Sequence, residues 1–141
     1  MTMGKLAGSD LRLSRKVSGP SGITHLLSAL RYSAQGIAVC FKEEIAFRQE
    51  CMMAVPYFIA VVCLPLELLA RLYLAALWFV LIAVELLNTA IEAVVNLVSP
   101  EWNVLAKKAK DCGSAAVFVI MMLLVISWSF VGIRLAKGFF G

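Results

Sequence analysis

Apolar and polar positions along this chain fall into three regimes. Residues 1–22 show no apolar period: glycines, serines and charges close on Ser18-Gly19-Pro20-Ser21-Gly22, which predicts a flexible tail and hinge. Over residues 23–48, Leu26, Leu27, Leu30, Ile37, Phe41 and Ile45 recur at helical spacing among His25, Arg31, Gln35, Lys42, Glu43 and Glu44. That pattern predicts an amphipathic helix lying in a membrane interface, with Gly36 as the point where it can bend. Beyond residue 48 the apolar residues run together. Cys51 to Leu66 and Gly113 to Ile133 carry no charge, and Leu72 to Val98 carries only two glutamates. These runs predict spans at about residues 49–66, 72–98 and 113–133. The expected fold is therefore an all-α membrane protein of three transmembrane helices behind an N-terminal surface helix, with a tail over 1–22, the surface helix over 23–48 and the membrane domain over 49–137.

Local signals refine the joints. Pro56 is placed to kink the first span and Pro65 to end it, so Glu67 to Arg71 reads as a short turn. Ser99-Pro100-Glu101 reads as a helix restart, with Ser99 as N-cap, Pro100 at the first helical position and an acid in the first turn. Gly113, Ser114, Ala115 and Ala116 are small enough for close helix contact.

Composition supports the membrane reading. Of 141 residues 62% are hydrophobic, above the roughly 45–50% of soluble domains, and mean hydropathy is +0.90. The polar first 22 residues hold no apolar core of the length a secretory signal peptide requires, so the first span is expected to serve as the membrane signal. The net charge of +4 matters less than its placement. Lys5, Arg12, Arg15, Lys16, Arg31, Lys42 and Arg48 precede the first span, and Lys107, Lys108 and Lys110 precede the last. The positive-inside rule then puts the N-terminus and the second loop in the cytoplasm and Glu67 to Arg71 outside. Cys40, Cys51, Cys63 and Cys112 lack metal-site or disulfide spacing. Basic residues beside lipid-length runs suit anionic headgroups, and no nucleic-acid module is present.

One segment breaks the apolar pattern. At about 100° per residue, Glu85, Asn88, Thr89, Glu92 and Asn96 share one stripe of the second long helix. Carboxylates in spanning helices are rare, and their default reading is functional. Buried helix-to-helix hydrogen bonding is the plainer alternative; a polyanion and metal site, or a proton or ion path, are the functional ones. Counted from the outer face, Glu85 falls about 20 Å in and Glu92 about 30 Å, so the stripe opens toward cytoplasm. Glu44, Glu50, Glu85, Asn88, Glu92, Glu101, Lys110 and Asp111 then gather at one level. Two carboxylates and phosphate oxygens make a site for Mg²⁺. Neither a Walker A motif nor a kinase glycine loop is present, which leaves metal, lysine and the helix N-terminus at Pro100 to hold phosphates. Glu44 with Arg48, and Lys107 with Asp111, have the spacing of ordinary surface ion pairs. Asn96, uncharged and beyond the boundary, reads as dispensable.

The residues Glu85-Leu86-Leu87-Asn88-Thr89-Ala90-Ile91-Glu92, the run Ala46-Phe47-Arg48-Gln49-Glu50 behind Glu44, and Ala109 to Ala116 with Trp128 in the last span together resemble the small prokaryotic integral-membrane diacylglycerol kinases. The resemblance implies a homotrimer in a bacterial inner membrane, with active sites shared between subunits. It implies that Glu85 is the general base and that Glu44 and Glu92 hold Mg²⁺ with ATP. It further implies nucleotide contacts from Tyr32, Glu44, Asn88, Glu92, Glu101, Lys110 and Asp111. Lipid contacts are implied for Ser33, Arg48, Gln49, Glu50, Glu85, Ser114 and Trp128. The chain departs from the family pattern at His25, Asn96 and Trp102-Asn103. The activity implied is transfer of the γ-phosphoryl group of MgATP to diacylglycerol. Phosphorylation of undecaprenol within the same family, and a small proton-coupled transporter or channel, are the alternatives.

Overall fold

The computed structural model describes residues 22–140, with side chains described through residue 138; the tail expected over residues 1–22 lies outside them except for Gly22, which begins a helix. Four α-helices follow one another: α1 (Gly22–Glu43), α2 (Ile45–Cys63), α3 (Leu68–Val98) and α4 (Val104–Phe140). The described residues divide into two units, with the boundary after Ala34, inside α1. In the N-terminal unit the helix displays Ile23, Leu26, Leu27 and Leu30 on its surface. Ser28 and Ser33 donate their hydroxyls back to the carbonyls of Thr24 and Ala29 at 2.8 and 3.0 Å, which satisfies the serines without outside partners.

In the second unit α2, α3 and α4 are each long and apolar enough to cross a membrane. The expected class, an all-helical membrane protein with three spanning helices, is the class observed. α3 is central, with both α2 and α4 packed on it. Its 31 residues extend ~46 Å at ~1.5 Å each, beyond a hydrocarbon core of ~30 Å, so at least one end reaches past the apolar layer. Leu77, Trp78 and Leu81 of α3 meet Val117 and Leu124 of α4, with Ala54, Tyr57 and Phe58 of α2 against them. Around this core Met52, Phe79, Phe118 and Phe130 stay exposed, which leaves an apolar outer surface.

Polar groups inside the apolar half are paired. The Tyr57 hydroxyl donates to the Leu74 carbonyl at 2.8 Å. Tyr73 and Ser127 share a hydrogen bond of 3.3 Å, and Ser127 also donates to the Leu123 carbonyl at 2.7 Å. Tyr57 packs on Trp78 with ring centres 4.3 Å apart and meets Trp128 edge to face at 5.6 Å. With no water to satisfy them, such groups need internal partners.

The joints differ from the expected ones in instructive ways. The helix expected over residues 23–48 continues past Gly36 and stops at Glu43, and Glu44 stands extended (φ −99°, ψ 121°) before α2 begins. No glycine or proline marks this corner. It is held instead by Arg48, which donates to the Lys42 carbonyl at 2.6 Å and the Phe41 carbonyl at 3.4 Å, so a cation supplies the donors that the end of α1 lacks. α2 continues through Pro56, and Pro65 follows its end as expected. Arg71 lies in the first turn of α3 and not in a loop: it clasps the link by donating to Leu66 and Leu64 carbonyls at 3.0 and 3.1 Å.

The helix restart is also displaced. Asn103, not Ser99, caps α4: its Oδ1 accepts from the backbone N–H of Leu105 at 2.8 Å and of Ala106 at 3.3 Å, the bonding of an N-cap. Ser99 closes α3, its N–H donating to the Val95 carbonyl at 2.9 Å. Pro100 and Glu101 thus belong to a link between helices. Asn103→Ala should lower unfolding stability in detergent by about 1 kcal/mol, whereas Asn103→Asp should retain most of it. Equal stability of the alanine variant and the parent in denaturant titration would remove Asn103 as the cap.

Candidate functional site

α3 presents Glu85 about half a turn past the middle of its length, where it is only 5% exposed. Two turns on, Glu92 is half-buried, and between them the Asn88 amide donates to Glu92 Oε1 at 3.3 Å. The stripe read from spacing is therefore one face of one helix in which exposure rises from Glu85 to Glu92. Glu92 and Glu44 both act electrostatically on Glu85. The corner at Glu44 thus brings a carboxylate from outside α3 into the neighbourhood of the stripe. Cys40, in the last turns of α1, is buried and has Thr89 of α3 as a side-chain partner. Burial, then the charge of Glu44, pushes its thiol above the usual range, so Cys40 is a packed neutral group at neutral pH.

α2 adds Glu50, 6% exposed, an electrostatic neighbour of Glu85. Among the described residues neither of its carboxylate oxygens has a hydrogen-bond partner, and Asn88 Oδ1 is likewise buried without one. α4 contributes Gly113 beside Asn88. It also contributes Lys110, whose ammonium donates to Asn96 Oδ1 at 2.7 Å. Asn96, read as dispensable, therefore holds the lysine; the sequence signal that it faced Lys110 was its place on the same stripe, one turn beyond Glu92. A cavity of ≈ 380 Å³ opens beside this contact, lined among others by Asn96, Glu101, Trp102, Asn103 and Lys110.

Other expected members have partners of their own or are exposed. Asp111 is engaged by Lys107 in an exposed i, i+4 pair, the plainer of the two readings of that spacing and worth little to stability. Arg48 serves the α1 carbonyls and not Glu44. Gln49 and Ser114 are exposed, each beside a buried residue, Glu50 and Gly113. Trp128 sits in the aromatic cluster with Tyr57, some 15 residues along α4 from Gly113 and so ~22 Å from it. Tyr32 and Ser33 are exposed residues of the N-terminal unit.

For a divalent cation the donors on offer are hard carboxylate oxygens. Among the described residues no group of three or more His, Cys, Asp or Glu side chains converges as a metal-holding set. A Mg²⁺ bound together with phosphate oxygens of a ligand needs only one or two protein carboxylates.

Fold and site define a class: a small polytopic membrane protein with carboxylates from two helices and a helix corner grouped around one deep glutamate. Comparison with known proteins gives the family. The profile described as prokaryotic diacylglycerol kinase matches residues 31–131, and the chain belongs to that family. It is 36% identical over 114 residues to a diacylglycerol kinase of Haemophilus influenzae, covering 77% of this chain and 92% of that one. It is 38% identical over 109 residues to the diacylglycerol kinase of Escherichia coli strain K12, with 77% and 88% covered. A Pseudomonas aeruginosa diacylglycerol kinase is 38% identical over 111 residues, with 79% and 90% covered.

The corner at Glu44 is the part of the site with the least local support. Arg48→Ala should open it, so that a glutamate-specific protease cuts after Glu43 or Glu44 several-fold faster in detergent. An unchanged cutting rate would mean that Arg48 does not hold the corner.

Proposed function

We propose that this protein is an ATP-dependent lipid kinase that transfers the γ-phosphoryl group of MgATP to the primary hydroxyl of diacylglycerol, giving phosphatidic acid. The observation that carries the reading is the buried Glu85 with Glu44 and Glu92 as its charged neighbours, in a chain whose family and relatives bear the diacylglycerol kinase name. Glu85 takes the proton of the lipid hydroxyl as its oxygen attacks the γ-phosphorus. The new O–P bond forms as the bond to the β-phosphate oxygen breaks, and ADP leaves. Glu44 and Glu92 are the residues that would hold Mg²⁺ on the nucleotide, and when bound this ion neutralises charge on the β- and γ-phosphates. Lys110, anchored by Asn96, adds a cation on the same side. Asn88 fixes the Glu92 carboxylate through its amide.

Nucleotide enters from the water-exposed end of the stripe and lipid from the bilayer. The cations ahead of the first span and at the start of α4 support a cytoplasmic N-terminus and a cytoplasmic active-site end in a bacterial inner membrane. Tyr32, Glu101 and Asp111 complete the nucleotide side of the proposal. Ser33, Arg48, Gln49, Glu50, Ser114 and Trp128 complete the lipid side, Trp128 along an acyl chain and not at the headgroup. Sites shared within a homotrimer suit the small carboxylate set that one chain offers.

Protein in lipid bilayers, supplied with γ-labelled ATP and diacylglycerol, should form labelled phosphatidic acid. Glu85→Gln should cut turnover by roughly 10²–10⁴-fold while nucleotide binding persists. Normal turnover in Glu85→Gln would overturn the base assignment. Preference for undecaprenol in a parallel assay, or ion flux without ATP consumption, would overturn the activity itself.

A further inference from the structure

Gly113 differs from the other described glycines in what surrounds it. A Cβ added at Gly22, Gly36, Gly132 or Gly138 meets nothing within 4 Å. At Gly113 it would collide with Oδ1 of Asn88 and stand 3.3 Å from Asn88 Cγ. Gly113 is buried where α4 passes α3. The atom it faces is the one buried side-chain oxygen of the Asn88 amide, which lacks a hydrogen-bond donor. The hydrogen that occupies the place of a Cβ therefore points at that oxygen, a weak C–H···O contact. The other end of the same planar amide donates to Glu92 Oε1 at 3.3 Å.

These two contacts leave the amide little freedom. Its oxygen is seated in the notch on α4, and this seating aims its N–H at the Glu92 carboxylate. We propose that Gly113 is a positioning residue for the metal-nucleotide site: its missing side chain seats Asn88, and Asn88 in turn sets the direction of Glu92. The inference rests on the proposed reading of Glu92 as a holder of the metal nucleotide. A methyl group at 113 occupies the place of Oδ1, forces the amide into another rotamer and withdraws the donor from Glu92. The carboxylate then rotates freely, as a ligand without its outer partner does.

A simple packing role for Gly113 predicts something different, namely lost stability with unaltered ligand binding. The test is an equilibrium titration of the full-length protein in bilayers with Mn²⁺ and a non-hydrolysable ATP analogue, followed by the electron paramagnetic resonance of free Mn²⁺. Gly113→Ala should weaken binding by roughly tenfold or more, the scale of lost outer-sphere support, and Asn88→Ala should do the same. Because both act through one amide, the double variant should bind as Asn88→Ala does, with no further loss. Gly132→Ala, on the same helix with open space around it, should bind like the parent. If Gly113→Ala binds normally, or if the double variant is a further tenfold weaker than Asn88→Ala, the inference fails. Should Gly113→Ala not fold, the double variant still decides, since truncating Asn88 leaves room for the methyl. Glu92→Gln separates the two levels: normal binding in that variant overturns the reading of Glu92 itself, whereas weak binding there with normal binding in Gly113→Ala overturns the role of Gly113 alone.

Discussion

Keeping a carboxylate inside a membrane-length helix is the constraint on which the rest of this structure depends. An acidic side chain costs up to about 3 kcal/mol at a bilayer centre on the lower scales, and less toward the boundary. Association of helices in lipid is not driven by the hydrophobic effect, and each interhelical hydrogen bond adds only about 0.6–2 kcal/mol. The bonds of Tyr57 to the Leu74 carbonyl and of Tyr73 with Ser127 are thus comparable to the cost of a single buried acid, and there are two acids, Glu85 and Glu50. Close packing has to supply the remainder. That is why α3 is flanked on both sides and why Trp78 and Leu81 bury against both neighbours.

The two halves of the bundle differ in how their buried side-chain oxygens are partnered. In the half containing Tyr57, Tyr73 and Ser127, the hydroxyls have partners on neighbouring helices. In the half containing the carboxylate stripe, both oxygens of Glu50 and Oδ1 of Asn88 are buried without any. Native proteins leave few such groups, and those they leave concentrate where function requires a group free to act. The proposed reading of the stripe as the working end draws on this contrast as well as on the family.

Most of the architecture was legible because it rests on periodicity. Three apolar runs gave three spanning helices, and helical spacing put Glu85, Asn88 and Glu92 on one face. The joints were less legible because they are fixed by side chains that reach back across them. Nothing local at Glu43-Glu44 breaks a helix; the break depends on Arg48 finding the α1 carbonyls. Asn103 outcompeted Ser99 as a cap because Ser99 was already committed to closing α3. The contacts of Asn96 with Lys110 and of Asn88 with Gly113 depend on the register between α3 and α4. One chain's sequence specifies that register only through packing.

The order of exposure along the site bears on how one set of glutamates can perform two tasks. Glu44 stands at a helix corner and Glu92 on an outer turn, and both are partly exposed, while Glu85 is nearly sealed. A cation that binds and leaves with a nucleotide must exchange waters at each turnover, which requires ligands within reach of solvent. A base that strips a hydroxyl must meet it where water cannot compete for the phosphoryl group. Reversing the order would fail on both counts: a sealed metal ligand would trap its ion, and an exposed base would invite hydrolysis of ATP. On the proposed reading, the two helical turns between Glu85 and Glu92 separate these demands, and the amide of Asn88, seated between them, keeps the outer carboxylate from drifting toward the inner one.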